Sequence, residues 1–141
     1  MSKKVFVDSD VVISSLLSQK GAANLLLNKQ RDKFSISNIS QKELKKVVDR
    51  LGISQDKLQT LIRKRLKVVK LRENKTKIKS NFQAYSTDPN DAHIVAGAKA
   101  AKAKFLLTYN LKHFQRQKIY DDLGIVVLTP AQYLQYLRSL G

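Results

Sequence analysis

The sequence predicts an α/β fold, a three-layer sandwich in which a central, mostly parallel sheet is flanked by helices. Short apolar runs recur along the chain, most of them apolar throughout, which is the pattern of strands covered on both faces. Helical patterns lie between these runs, as parallel crossovers require. A length of 141 residues with 43% apolar content suffices for a hydrophobic core, so residues 1–141 are expected to form a single domain.

The elements follow in order. "KKVFV" reads as the first strand, and its apolar run is too continuous for a one-sided sheet. "VVISSLLSQKGAANLLLNKQ" reads as two helices broken at Gly21, and "KFSIS" as a strand. "SQKELKKVVDRL" and "SQDKLQTLIRKRL" are amphipathic helices, each opened by a serine (Ser40, Ser54) and separated by Gly52. "KVVKL" is a brief strand, and "RENKTKIKSNFQAYSTDPN" has weak pattern and reads as a loop with a helical turn or two. "NDAHIVAGAKAAKA" is a helix with Pro89 just before it. "KFLLT" and "GIVVLT" are further strands. "PAQYLQYLRSL" closes the chain as a helix capped by Thr129, with Pro130 at its first position.

Charge is the strongest global feature. Lys and Arg number 27 against 11 Asp and Glu, a formal net charge of +16. Such an excess opposes folding by self-repulsion and favours a polyanionic partner, nucleic acid above a membrane surface or an acidic protein. The densest stretch, residues 63–79, holds nine basic residues against the single acid Glu73; it reads either as a solvated surface or as a phosphate-contacting face. There is no cysteine, which excludes disulfides and thiolate metal sites and favours a reducing compartment. The opening apolar stretch is cut by Asp8 and Asp10, unlike a signal peptide, and no run is long enough to span a bilayer. The expectation is a soluble, cytoplasmic protein that binds no membrane.

The acids are few, and their placement is specific. Asp8 directly follows the first strand and Asp10 opens the next helix; Glu43 lies in the first turn of "SQKELKKVV", after the second strand, Asp91 in the first turn of the Ala-rich helix, and Asn110 just after "FLLT". Sites in open parallel sheets form beyond the carboxyl ends of strands, and all five positions fall on that rim. Each also has a structural reading. Ser40 and Glu43 form an S-x-x-E capping box, Asp88 and Asp91 flank Pro89 as a cap with a first-turn charge, and Asp8 or Asp10 caps the first helix. Capping alone does not require three helices to open around one point. Converging carboxylates repel unless a cation sits between them, and a hard divalent ion such as Mg²⁺ or Mn²⁺, which also bridges to phosphate, removes the conflict. With His93 and His113 the only imidazoles, a zinc site is not expected, and both read as surface or packing residues. The expected object is an acidic, metal-loaded pocket in a basic protein, suited to hydrolysing a phosphodiester.

Four segments resemble PIN-domain ribonucleases, the toxin half of VapBC-type toxin–antitoxin pairs. "VFVDSDVVISSLLSQKGAA" is similar to the family's opening motif, "SISNISQKELKKVV" to its S-P-x-x-x-x-E-L segment, "DPNDAHIVAGAKAAKAKFLLTYNLKHF" to its D-P-D-D segment with the following T-x-N, and "GIVVLTPAQYLQYL" to its closing strand and helix. The resemblance implies catalytic and metal-binding roles for Asp8, Glu43 and Asp91, with Asp88 as an accessory metal acid. It implies that Asn110, as a further catalytic residue, and Thr108 position the ion's water or the phosphate. Hydrolysis would leave a 5′-phosphate and a 3′-hydroxyl. Two departures stand out. "TYN" supplies Asn110 where the family often has aspartate, which weakens a second metal site. Asp10 replaces a small neutral residue and adds a carboxylate that compensates in part.

The function expected is therefore a Mg²⁺- or Mn²⁺-dependent endoribonuclease, with Arg63, Lys64, Arg65, Lys67 and Lys112 contacting RNA. A cognate antitoxin is the implied protein partner, and a homodimer is open. The alternative is a degenerate, non-catalytic RNA-binding module on the same fold.

Overall fold

The computed structural model describes residues 3–140. Strands β1 (Lys4–Val7), β2 (Lys33–Ser37), β3 (Leu66–Val69), β4 (Phe105–Leu107) and β5 (Val126–Leu128) form one sheet in the order β3-β2-β1-β4-β5. Every neighbouring pair is parallel, so the sheet is not merely mostly so. The chain builds outward from β1 to β3, then crosses to the other side of β1 to add β4 and β5. The order therefore reverses between β1 and β4, and there the loops leaving adjacent strands part to open a crevice.

Helices cover both faces. On one lie α1 (Ser9–Leu17), α2 (Ala22–Lys29), α3 (Asn38–Arg50), α4 (Gln55–Arg65) and α8 (Pro130–Ser139), packed on Val5, Val7, Phe34, Ile36, Phe105 and Leu107. On the other lie α6 (Ala92–Ala100) and α7 (Arg116–Leu123), packed on Phe6, Leu106 and Val127, with α5 (Lys75–Phe82) against α6. The pleat of β1 explains the split: Val5 and Val7 point one way and Phe6 the other, and all three are fully buried.

Three local details differ from the sequence reading. The third helix starts at Asn38, not after Ser40, because Ser37 caps it by accepting a 3.1 Å hydrogen bond from the Ser40 amide, while Ser40 itself is buried. Glu43 thus falls in the second turn and has no capping-box duty. The weakly patterned segment contains a full helix, α5, capped by Asn74 and anchored by Ile78, its one buried residue. The segment between the last two strands also holds a helix that the pattern did not indicate, α7, anchored by Ile119 and ended by Gly124 at φ 69. As expected, Thr129 caps α8, in a reciprocal capping box with Gln132.

Helix α6 comes very close to the sheet. Its residues 92–98 are all buried, and a β-carbon at Gly97 would lie 2.4 Å from Phe6 Cζ. The ring is enclosed and has no exposed side to retreat to. Gly97→Ala should therefore destabilise the protein by about 1–3 kcal/mol despite alanine's better helix propensity, as measured by urea unfolding. Phe6→Leu in the same chain should recover part of the loss.

Candidate active site

The crevice between β1 and β4 is built from the loops that leave those two strands. Asp8 follows β1; its amide donates to Leu107 O at 2.9 Å, tying the end of β1 to β4. Its carboxylate caps α1, with Oδ1 accepting from the Ser9 amide at 2.7 Å and Oδ2 from Thr108 Oγ1 at 3.0 Å. Asp10 lies one step further round. Its Oδ2 accepts from the Tyr109 amide at 3.0 Å, Asn110 Nδ2 at 3.1 Å and Thr108 Oγ1 at 3.4 Å. Asn110 thus turns its amide hydrogens toward Asp10, and its own N–H donates to Thr108 Oγ1 at 3.1 Å.

Glu43 and Asp91 arrive from the neighbouring helix starts. With Asp8 they line one cavity of about 380 Å³, together with Lys75, Lys79 and His93. Each of the two is held by an imidazole: His93 Nε2 lies 2.9 Å from Glu43 Oε1, and His113 Nδ1 lies 3.3 Å from Asp91 Oδ2. Asp88 is exposed, is not among the cavity-lining residues, and caps the 3₁₀ turn at residues 89–91 by accepting from the Asn90 amide at 2.9 Å.

The electrostatics follow from burial. Burial, and then the charge of Asp10, push the Asp8 carboxyl up to about 7 against its hydrogen bonds from Thr108 and Ser9. Burial likewise raises Asp10, and raises Asp91 despite His113. Burial also acts to raise Glu43, but the hydrogen bond and charge of His93, with Lys75 and Lys46, outweigh it and leave that carboxyl below its ordinary value. The donors facing the crevice are hard carboxylate oxygens, and Asp10 Oδ1 is buried with no partner among the described residues. That chemistry suits a Mg²⁺- or Mn²⁺-like ion. Among the described residues, no three acidic or imidazole side chains already close to metal-holding distance, since Glu43 and Asp91 are turned to their histidines.

The basic residues are distributed differently from the expectation. Helix α4 runs into the start of β3, so Arg63, Lys64 and Arg65 fall toward the amino-terminal pole of the sheet, opposite the carboxylates. Arg65 donates to the backbone carbonyls of Leu27 and Gln30 and so closes the end of α2. Lys67 lies on β3, and Lys112 is exposed in the turn just after Asn110. The cations that line the carboxylate cavity are Lys75 and Lys79. They sit one turn apart on α5 and were missed because that segment does not read as a helix. His93 and His113 were missed because their partners, Glu43 and Asp91, are remote in sequence.

Two outcomes test this geometry. Asp8 has a folded pKa above its unfolded value, so its stabilising contribution is present below pH 3.8 and lost as pH rises through about 7. Asp8→Asn keeps a capping oxygen and removes the charge. It should raise the melting temperature of chelator-treated protein above about pH 7 and change it little in acid, by calorimetry. Arg65→Leu should cost about 1–3 kcal/mol in urea unfolding through the two orphaned carbonyls.

No curated protein sequence matches the chain. Its fold is similar to that of a toxin–antitoxin complex from Klebsiella pneumoniae, at 20% identity and TM-score 0.65, covering 89% of this chain and 97% of that one. It is also similar to VapBC2 from Rickettsia felis bound to a promoter DNA fragment, at 17% identity and TM-score 0.57 over 88% and 96% of the two chains. A third similarity is to FitAB bound to a DNA fragment, at 17% identity and TM-score 0.55 over 89% and 94%. The family model described as PIN domain matches residues 4–112, most of the chain, and on that match the protein belongs to the PIN-domain family.

Proposed function

We propose that the protein is an endoribonuclease dependent on Mg²⁺ or Mn²⁺, acting as the toxin of a toxin–antitoxin pair. The observation that carries this reading is that Asp8, Glu43 and Asp91, from three separate elements, line one cavity at the switch point of a chain with net charge +16. Burial makes Asp8, Asp10 and Asp91 harder to ionise, and Glu43 escapes that cost only through His93 and nearby lysines, so gathering these acids at one cavity works against the stability of the bare protein. A ligand that brings positive charge to the cavity repays it.

A divalent ion held by Asp8, Glu43 and Asp91 would supply Lewis acidity and an activated water at a phosphodiester. The chain's own groups do the rest. Thr108 holds the Asp8 carboxylate in place and also reaches Asp10, which Asn110 steadies. His93 and His113 keep Glu43 and Asp91 compensated when no cation is near. Lys75 and Lys79 offer ammonium groups to flanking phosphates. Asp88 stays in its capping role. Membership of the PIN family supports the nuclease reading, and likeness to toxin–antitoxin complexes supports neutralisation by a protein antitoxin. Among the described residues no helix is long and apolar enough to cross a membrane. The engagement of Glu43 and Asp91 by histidines favours a second reading, a non-catalytic RNA-binding module.

Incubation with single-stranded and structured RNA in Mn²⁺ separates the two. Cleavage should be abolished by chelator and fall by roughly a hundredfold or more in Asp91→Asn. Salt-sensitive RNA binding without cleavage would favour the module, and cleavage surviving both treatments would exclude the carboxylate mechanism.

A further inference from the structure

We propose that a second, lysine-lined cleft beside β2, β3 and the end of α6, running from the amino-terminal ends of β1 and β2 to the residue after β3, binds the phosphate backbone of the same RNA strand, away from the bond that is cut. The cleft, about 480 Å³, is lined by Lys4, Lys33, Lys67, Lys70 and Lys102 and by no acidic residue. None of these five ammonium groups forms an ion pair among the described residues. Five uncompensated lysines around one concavity repel one another, and a polyanion relieves that repulsion.

The cleft lies on the same side of the molecule as a depression that adjoins the carboxylate cavity. This depression, of about 550 Å³, shares Ile78 with the cavity and Ala100 and Lys102 with the cleft. Arg72, Lys99, Phe82 and Tyr85 line this middle section, which offers both cations and aromatic rings to a single strand. Its one acid, Glu73, is paired with Lys77 at 3.6 Å. The five residues of β2 place the far end of the cleft, at Lys4 and Lys33, roughly 16 Å from the level of the carboxylates, a span that a few nucleotides cover.

Lys102 supplies an independent observation. Helix α6 ends in a Schellman turn, with Ala103 N–H donating to Ala98 O and Lys102 N–H to Lys99 O, both at 3.0 Å. The residue after the cap sits at φ 55, where glycine is usual, yet a lysine occupies it and lines the cleft. A strained side chain kept at such a position is accounted for if the ammonium has a ligand.

This inference rests on the reading that the protein acts on RNA. Its test is fluorescence-anisotropy titration of the full chain with single-stranded RNA in chelator, over a range of salt. Replacing Lys67, Lys70 and Lys102 by Gln should flatten the slope of log affinity against log salt by about 0.7 per lysine, with the loss confined to oligonucleotides long enough to reach from the carboxylate cavity into the cleft. Lys102→Gly alone should raise the melting temperature while weakening binding of the long RNA, a pair of effects that misfolding does not produce. An unchanged slope overturns the proposal. So does a loss seen with poly-glutamate but not RNA, which would give the cleft to an acidic protein partner, or an equal loss with anionic vesicles. Failure of Mn²⁺-dependent cleavage would remove the nuclease reading and leave this binding result standing, whereas a flat slope change with intact cleavage would remove the cleft alone.

Discussion

Desolvation of Asp8 and Asp10 at the end of β1 is the constraint around which the rest of the structure is arranged. Two carboxylates held out of water beside each other are costly unless donors surround them. The fold supplies those donors from the one neighbour that topology makes available, the loop after β4: Thr108 Oγ1, the Tyr109 amide and Asn110 Nδ2. That loop can do so because β4 is hydrogen-bonded directly to β1, with Val7 beside Leu107 in register. Compensation is incomplete, as the raised pKa values and the unpartnered Asp10 Oδ1 record. What remains is a site with residual repulsion that a cation would relieve, so that binding one would also stabilise the fold.

Parallel topology also separates the charges. Helices begin at the carboxyl ends of strands, so their positive dipole ends gather where Asp8, Asp10 and Asp91 sit. Helices α2, α4 and α6 end near the starts of the next strands, and their last turns carry Lys29, then Arg63, Lys64 and Arg65, then Lys99. In these helices each sign of charge lies at the dipole end that favours it, whereas α7 runs the other way, from Arg116 to Asp121 and Asp122. The protein is therefore not uniformly basic: carboxylates gather at the carboxyl ends of the strands, and the last turns of α2 and α4 carry a basic pole opposite them.

The elements that could be read from the sequence are those with redundant signals. β1, β2, β4 and β5 are apolar runs bounded by charge or turn residues, and α8 is announced by Thr129 and Pro130 together. Helix α5 was obscured because six of its eight residues, "KTKIKSNF", are polar and its single anchor, Ile78, gives no period. α7 failed for the same reason, with only Ile119 buried. The start of α3 was misplaced because Ser37, Ser40 and Glu43 present two overlapping capping patterns, and burial of Ser40 between helix and sheet selects the earlier one.

The sequence by itself determined the class of fold, the family motifs and the positions of Asp8 and Asp91 at a strand end and a helix start, because those are local features, whereas Glu43 lies one turn deeper in α3 than its capping pattern indicated. It could not determine which side chains answer which. The partnerships of Glu43 with His93, Asp10 with Asn110, and Lys75 and Lys79 with the carboxylate cavity join residues tens of positions apart. They arise only once β4 has crossed over to lie beside β1 and α5 has folded against α6, since an electrostatic contact is set by distance in space and not by separation along the chain.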